Sequence, residues 1–150
     1  MKFLITGFFS VRVGLLLLLI LNNSCSDNGG NQSTGITYSD PMHNKGIGPV
    51  KELQLGPLDT AMAAEGKVIY ESKCTACHHP TEKLIGPPQK GILERRAPEW
   101  VMNMMLNPEE MLARDPIAKQ LLKEYNNVPM TDQKLSYADT RKILEYLRTL

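Results

Sequence analysis

Several features that would place a chain in a common binding or secreted class are missing from this sequence. There is no excess of charge, since 17 Lys and Arg stand against 16 Asp and Glu. A near-neutral chain lacks the basic field that draws nucleic acid. Removing residues 1–24 takes away Lys2 and Arg12 and leaves 15 of those basic residues, a net charge of −1. Cysteine is scarce and odd in number, three in 150 residues, which argues against a disulfide framework. The longest apolar run, Val13 to Leu21 interrupted only by Gly14, falls short of the roughly 20 residues that span a bilayer. The length leaves room for one domain plus appendages.

What is present begins with an address. Lys2 and Arg12 followed by the apolar run read as an export signal over residues 1–24. If Phe3 to Phe9 were joined to the run as an uncleaved anchor, Arg12 would sit inside the membrane, which is costly. The stretch Leu21-Asn22-Asn23-Ser24-Cys25-Ser26-Asp27 resembles a bacterial lipoprotein signal, with small Ser24 before the cysteine. It departs from that pattern where Asn22 occupies the place usually held by leucine. Read this way, Cys25 is the lipidation site and the protein is anchored to a membrane without spanning it. An ordinary cleaved signal with an incidental cysteine is the other reading. Residues 25–57 read as a tether rich in Asn, Gly, Ser and Asp. Within it, Val50, Leu53, Leu55 and Leu58 would allow Gly46 to Leu58 to lie along the domain as an extended strap. The packed domain is expected over residues 58–150.

The most informative stretch is Cys74-Thr75-Ala76-Cys77-His78. Two thiols at this spacing can each bond one vinyl group of a single porphyrin, and the next histidine then lies under the iron as an axial ligand. This is the attachment pattern of one covalent haem c. A C-x-x-C pair can also be a redox dithiol or half a zinc site. Zinc would want two more ligands, with only Cys25, His43 and His79 remaining, and a thioredoxin-like dithiol would want a βαβ setting that the sequence does not offer.

Around the motif the chain reads as all-α. Asp59 is a good N-cap for a helix over 60–73 that runs into the motif, with Gly66 and Tyr70 on one face. Pro98 opens a helix to about 106, Asn107-Pro108 breaks it, a short helix covers 109–114, and Asp115-Pro116 opens another to about 125. Ser136 with Asp139 makes a loose capping box for a terminal helix over 137–149, which carries Ile143, Tyr146, Leu147 and Leu150 on one stripe. A first helix with Gly-x-x-x-aromatic, then C-x-x-C-H, then a Met-bearing loop and a last helix with apolar-x-x-Tyr resembles class I cytochrome c. The resemblance covers residues 59–150. It implies that the first and last helices cross, with Gly66 letting the backbones approach.

The same resemblance supplies site roles. Pro87, or Pro88 as the second reading, matches a turn proline whose carbonyl accepts a hydrogen bond from the ligand histidine, an arrangement that orients the ring and raises its basicity. Trp100 with Arg95 or Arg96 match residues that bond the haem propionates, although solvated arginines are the commoner outcome. Met130, in the loop before the last helix, matches the second axial ligand, although here proline precedes rather than follows it. Met102, Met105 and Met111 at helical spacing read as core. His79 adjoins His78 and cannot reach the other haem face, and His43 lies in the tether. Lys73, Lys83 and Lys90 are expected either near the haem edge, aiding transient docking of redox proteins, or simply solvated.

The implied function is single-electron transfer on the outer, periplasmic side of a bacterial membrane, not enzymatic turnover. The segment Arg95 to Asn107 resembles small cytochromes found with nitrous-oxide reductase systems. The alternative is a haem protein with an open distal site, a gas sensor or peroxidase-like unit.

Overall fold

The computed structural model describes residues 40–150. The export signal over 1–24, the Cys25 lipidation site and the tether as far as residue 39 lie outside the described residues. Within them the fold is all-helical: α1 (Thr60–Lys73), a 3-10 turn (Ile92–Glu94), α2 (Pro98–Leu106), α3 (Pro108–Arg114), α4 (Pro116–Glu124) and α5 (Tyr137–Leu147). None of these helices is long and apolar enough to cross a membrane.

Each helix begins where local chemistry says it should. Asp59 accepts a hydrogen bond from the Met62 amide at the start of α1, and Ser136 accepts one from the Asp139 amide at the start of α5. Proline stands first in α2, α3 and α4, where its missing N–H costs nothing. The chain leaves α4 through Asn126 and Asn127, both with positive φ (59° and 57°), a conformation that asparagine tolerates better than most residues. This turn starts the loop that carries Met130.

The most extensive helix–helix contact is between α1 and α5. A Cβ built on Gly66 would lie 1.9 Å from the Lys142 carbonyl oxygen, so the two backbones touch there and only glycine fits. Glycine costs a helix interior about 1 kcal/mol relative to alanine. The crossing offsets that by bringing buried Ala63 and Tyr70 of α1 to the packed face of α5, where Ile143, Leu144 and Leu147 are buried. The Tyr70 and Tyr146 rings stand 5.2 Å apart and tilted, a favoured aromatic arrangement.

The packed body extends ahead of residue 58, where the sequence places its start, and the strap that Val50, Leu53 and Leu55 allow is formed. Residues 40–58 form a strap on α2 and α3, with Val50 only 3% exposed and Asn44 fully buried. Asn103 of α2 donates from Nδ2 to the carbonyls of Lys45 and Val50, both at 2.8 Å, and its Oδ1 accepts from the Val50 amide at 2.9 Å. Asn44 donates to Asp115 Oδ2 at 2.7 Å. Asn107 donates to the Ile47 carbonyl, and Glu99 accepts from the Leu53 amide. A tether composition does not reveal this seating, because these partners of the strap are 46 to 71 residues away.

Candidate functional site

A cleft enclosing about 1160 Å³ out to its open mouth lies between the end of α1, α2, α4 and the 128–133 loop. Cys74, Cys77 and His78 line it, and so does Met130 with its neighbours Val128, Pro129 and Thr131. Tyr70, Trp100, Leu121 and Ile143 contribute to its apolar lining. Both cysteines are free thiols. Burial, and then the neighbouring Cys77, push the Cys74 thiol up to about 11.

His78 is held on two sides. Its Nδ1 lies 2.9 Å from the Pro87 carbonyl oxygen, which leaves Nε2 as the ring atom free to bind a metal. A Cβ on Gly86 would come within 2.4 Å of His78 Cε1, so the Gly86 backbone is the surface against which the imidazole rests. Gln89 completes the arrangement, with Nε2 at 2.8 Å from both Pro87 O and His78 Nδ1. Sequence reading finds the turn and its proline but not Gln89, which looks like any polar turn residue until the chain folds it under the ring.

The arginines and Trp100 fall into different situations. Trp100 is buried and donates its single N–H to Asp115 Oδ1 at 3.1 Å, so the propionate contact matched to it has no donor left. Arg95 is spent on the proximal loop, donating to the carbonyls of Lys90 and Pro88. Arg96 lies 5.6 Å from the centre of the Trp100 ring, and its Nε is buried with no hydrogen-bond partner. Burial, and then Arg95, hold its guanidinium below the ordinary value. Its Nη1 donates to the Arg95 carbonyl, and the spare Nε of a half-buried cation beside the cleft residue Trp100 suits an anionic group.

Methionines sort by position. Met102 and Met111 are fully buried, and Met111 Sδ accepts from the Ile47 amide, so both belong to the core. Met105 is buried in the core as well and also lines the cleft, together with Met104 and Met130. His43 is exposed and bonded to Asp40, and His79 accepts from the Thr81 and Glu82 amides. Neither lines the cleft. Lys73 does, while Lys83 sits 4.5 Å from the centre of the cleft residue Tyr125.

Two thiols and an imidazole in C-x-x-C-H spacing at one end of an apolar cleft, beneath a glycine-mediated crossing of the first and last helices, define a haem-binding cytochrome domain. The cytochrome c family profile matches residues 63–150, and the chain belongs to that family, whose cofactor is one covalently bound haem c. It is similar to a cytochrome c from Rhodothermus marinus, at 47% identity and a TM-score of 0.66 over 68% of this chain and 88% of that one. An engineered form of that protein bound to a carbene intermediate aligns at 45% identity and a TM-score of 0.63, covering 68% of this chain and 88% of that one. The cytochrome c domain of pp3183 protein from Pseudomonas putida is more distant, at 29% identity and a TM-score of 0.52 over 56% of this chain and 85% of that one. No curated protein gives a significant match. The residues present fit the haem: Cys74 and Cys77 are placed to attach it, His78 to ligate it, and Arg96, whose Nε has no partner, to meet a carboxylate.

Proposed function

We propose that this protein is a mono-haem electron carrier on the outer side of a bacterial membrane, anchored by lipid on Cys25. It passes single electrons between transiently docked redox proteins, a terminal reductase such as nitrous-oxide reductase among them. The observation that carries the reading is that Cys74, Cys77, His78 and Met130 all line one apolar cleft. When bound, haem supplies a one-electron couple at iron, and a Met/His ligand pair raises its potential relative to two histidines. The chain's own residues do the rest. Cys74 and Cys77 hold the cofactor by thioether bonds, Pro87 O fixes the His78 ring so that Nε2 serves as ligand, and Pro129 stiffens the loop that offers the Met130 sulfur. The apolar lining excludes water, and Lys73 and Lys83 give the mouth a positive edge for small, short-lived encounters. Membership of the family supports electron transfer, and bacterial cytochromes of this family are generally periplasmic. The nitrous-oxide reductase partner rests on the resemblance carried by residues 95–107.

The deciding experiment is the optical spectrum of the matured protein beside that of Met130→Ala. The wild type should be six-coordinate and low-spin with a weak sulfur-to-iron band at the red end. The variant should lose that band and bind carbon monoxide rapidly when reduced. An unchanged spectrum would remove Met130 from the iron, and a wild type that is already high-spin would favour the open-site alternative. Separately, the mass of the mature chain reports acylation at Cys25, and Cys25→Ser should release the protein from membranes. Reduced protein should be reoxidised by nitrous-oxide reductase with its substrate; no reoxidation removes that partner alone.

A further inference from the structure

We infer that Gln89 is a positioning residue that sets how strongly His78 donates to the iron, and through it the reduction potential. The inference rests on His78 being the axial ligand.

Three atoms meet within hydrogen-bond distance beneath the cleft. Pro87 O is 2.9 Å from His78 Nδ1 and 2.8 Å from Gln89 Nε2, and the two nitrogens are 2.8 Å apart. With Nε2 of the imidazole committed to a metal, Nδ1 must carry the ring's proton, so it can only donate. The carbonyl can only accept. In the structure Gln89 turns its amide Nε2, a donor, to the carbonyl at 2.8 Å. Two donors then share one acceptor, and the close approach of the two nitrogens is a contact between donors rather than a bond.

This sharing has a chemical consequence. A histidine whose distal N–H is strongly accepted gains imidazolate character, donates more charge and favours the ferric state. Gln89 draws on the same oxygen, so it weakens the bond that Nδ1–H makes. The imidazole is thereby kept closer to neutral and the potential higher. Nor can the ring escape the competition by turning, because the Gly86 backbone lies against it. Gln89 is only 9% exposed, so water does not take its place freely.

The test replaces the amide with an apolar group in the holoprotein. Gln89→Leu conserves volume, and Gln89→Ala gives a second variant should the branched chain pack poorly. The midpoint potential, from spectroelectrochemical titration, should fall in both. In the reduced low-spin protein the His78 Nδ1–H proton resonance should move downfield as its bond to Pro87 strengthens. A merely structural role for Gln89 would lower the melting temperature and leave both readouts where they are. An unchanged or raised potential, with the wild-type visible spectrum retained, overturns this inference and leaves the electron-carrier reading intact. A wild-type spectrum without histidine ligation overturns both.

Discussion

At the crossing of α1 with α5 the closest approach is backbone to backbone, Gly66 against Lys142. The strap over residues 40–58 reaches α2 and α3 differently, through the side-chain amides of Asn44, Asn103 and Asn107 and the carboxylates of Glu99 and Asp115. Val50 is the strap's one buried apolar residue, worth about 1.5–3 kcal/mol at most. The crossing is an apolar seam in which area and fit do the work. The strap is an irregular segment whose buried backbone must be satisfied one group at a time. A seam of the first kind fails when a methyl is added, and one of the second kind fails when a single polar atom is removed.

Adding the methyl should have the largest effect. Gly66→Ala places a carbon inside the Lys142 carbonyl, where backbone rather than a pliant side chain must move. The cost is at the upper end of the about 1–3 kcal/mol usual for overpacking, or beyond it. The measurement is the thermal or denaturant midpoint of the holoprotein, together with its yield. A variant as stable as wild type would mean that the crossing is not the close contact described.

Removing the polar atoms comes next. Asn103→Leu keeps a residue of similar size but strands the Val50 amide and two strap carbonyls, each buried orphan costing about 1–3 kcal/mol if water cannot reach it. The loss should be local. Hydrogen exchange should rise at residues 44–53 while amides of α1 and α5 stay protected. Uniform loss of protection across both regions would show that the strap and the crossing unfold as one unit.

Glu145 joins the two regions and behaves like neither. It is fully buried on α5, accepts from the Asp59 amide at 2.8 Å, and is paired with Arg141 and Arg148, the latter also holding the Gly56 carbonyl. Burial pushes its carboxyl up, but the Asp59 amide and the two arginines prevail and hold it below the ordinary value. A depressed carboxylate stabilises the fold above the unfolded carboxylate range, and that contribution is lost as pH falls through the folded value. Glu145→Gln should therefore cost about 2 kcal/mol near neutrality, in line with hydrogen bonds to charged groups. Its stability should also fall less steeply than the wild type's below about pH 5. Parallel acid-denaturation curves would contradict the clamp.

The smallest effect is expected outside both regions. Lys67 and Glu71 form an exposed pair on α1, 2.6 Å apart. Lys67→Ala should leave the unfolding midpoint close to the wild type's, and any difference should shrink in high salt. A larger loss would show that α1 depends on its outer face as well as on the seam.

The haem motif and the helix ends were readable in the sequence, the crossing followed from the resemblance to class I cytochrome c, and the polar partners that seat the strap were not readable. Gly66 at four residues from Tyr70, the caps at Asp59 and Ser136, and the prolines opening α2, α3 and α4 are signals confined to one turn of chain. Helix α5 ends at Leu147 rather than 149, within the fraying expected of a terminus. Trp100 shows the limit of the resemblance. The resemblance matches it to a propionate contact, but Asp115, fifteen residues on, takes its N–H. Of the methionines, only the fold separates Met111, bonded to the strap, from Met104 and Met105 in the cleft.

By itself, then, the sequence determined the run of helices and pointed to the cofactor and to the residues proposed to hold it, because thioether spacing, capping and periodicity act over a few residues. Tertiary structure decided where the strap lies, that Arg96 keeps an unpartnered nitrogen, and that Gln89 sits under the His78 ring. Those outcomes turn on which polar groups meet across stretches as long as the 71 residues between Asn44 and Asp115. A buried donor's partner is chosen by geometry that no local pattern records.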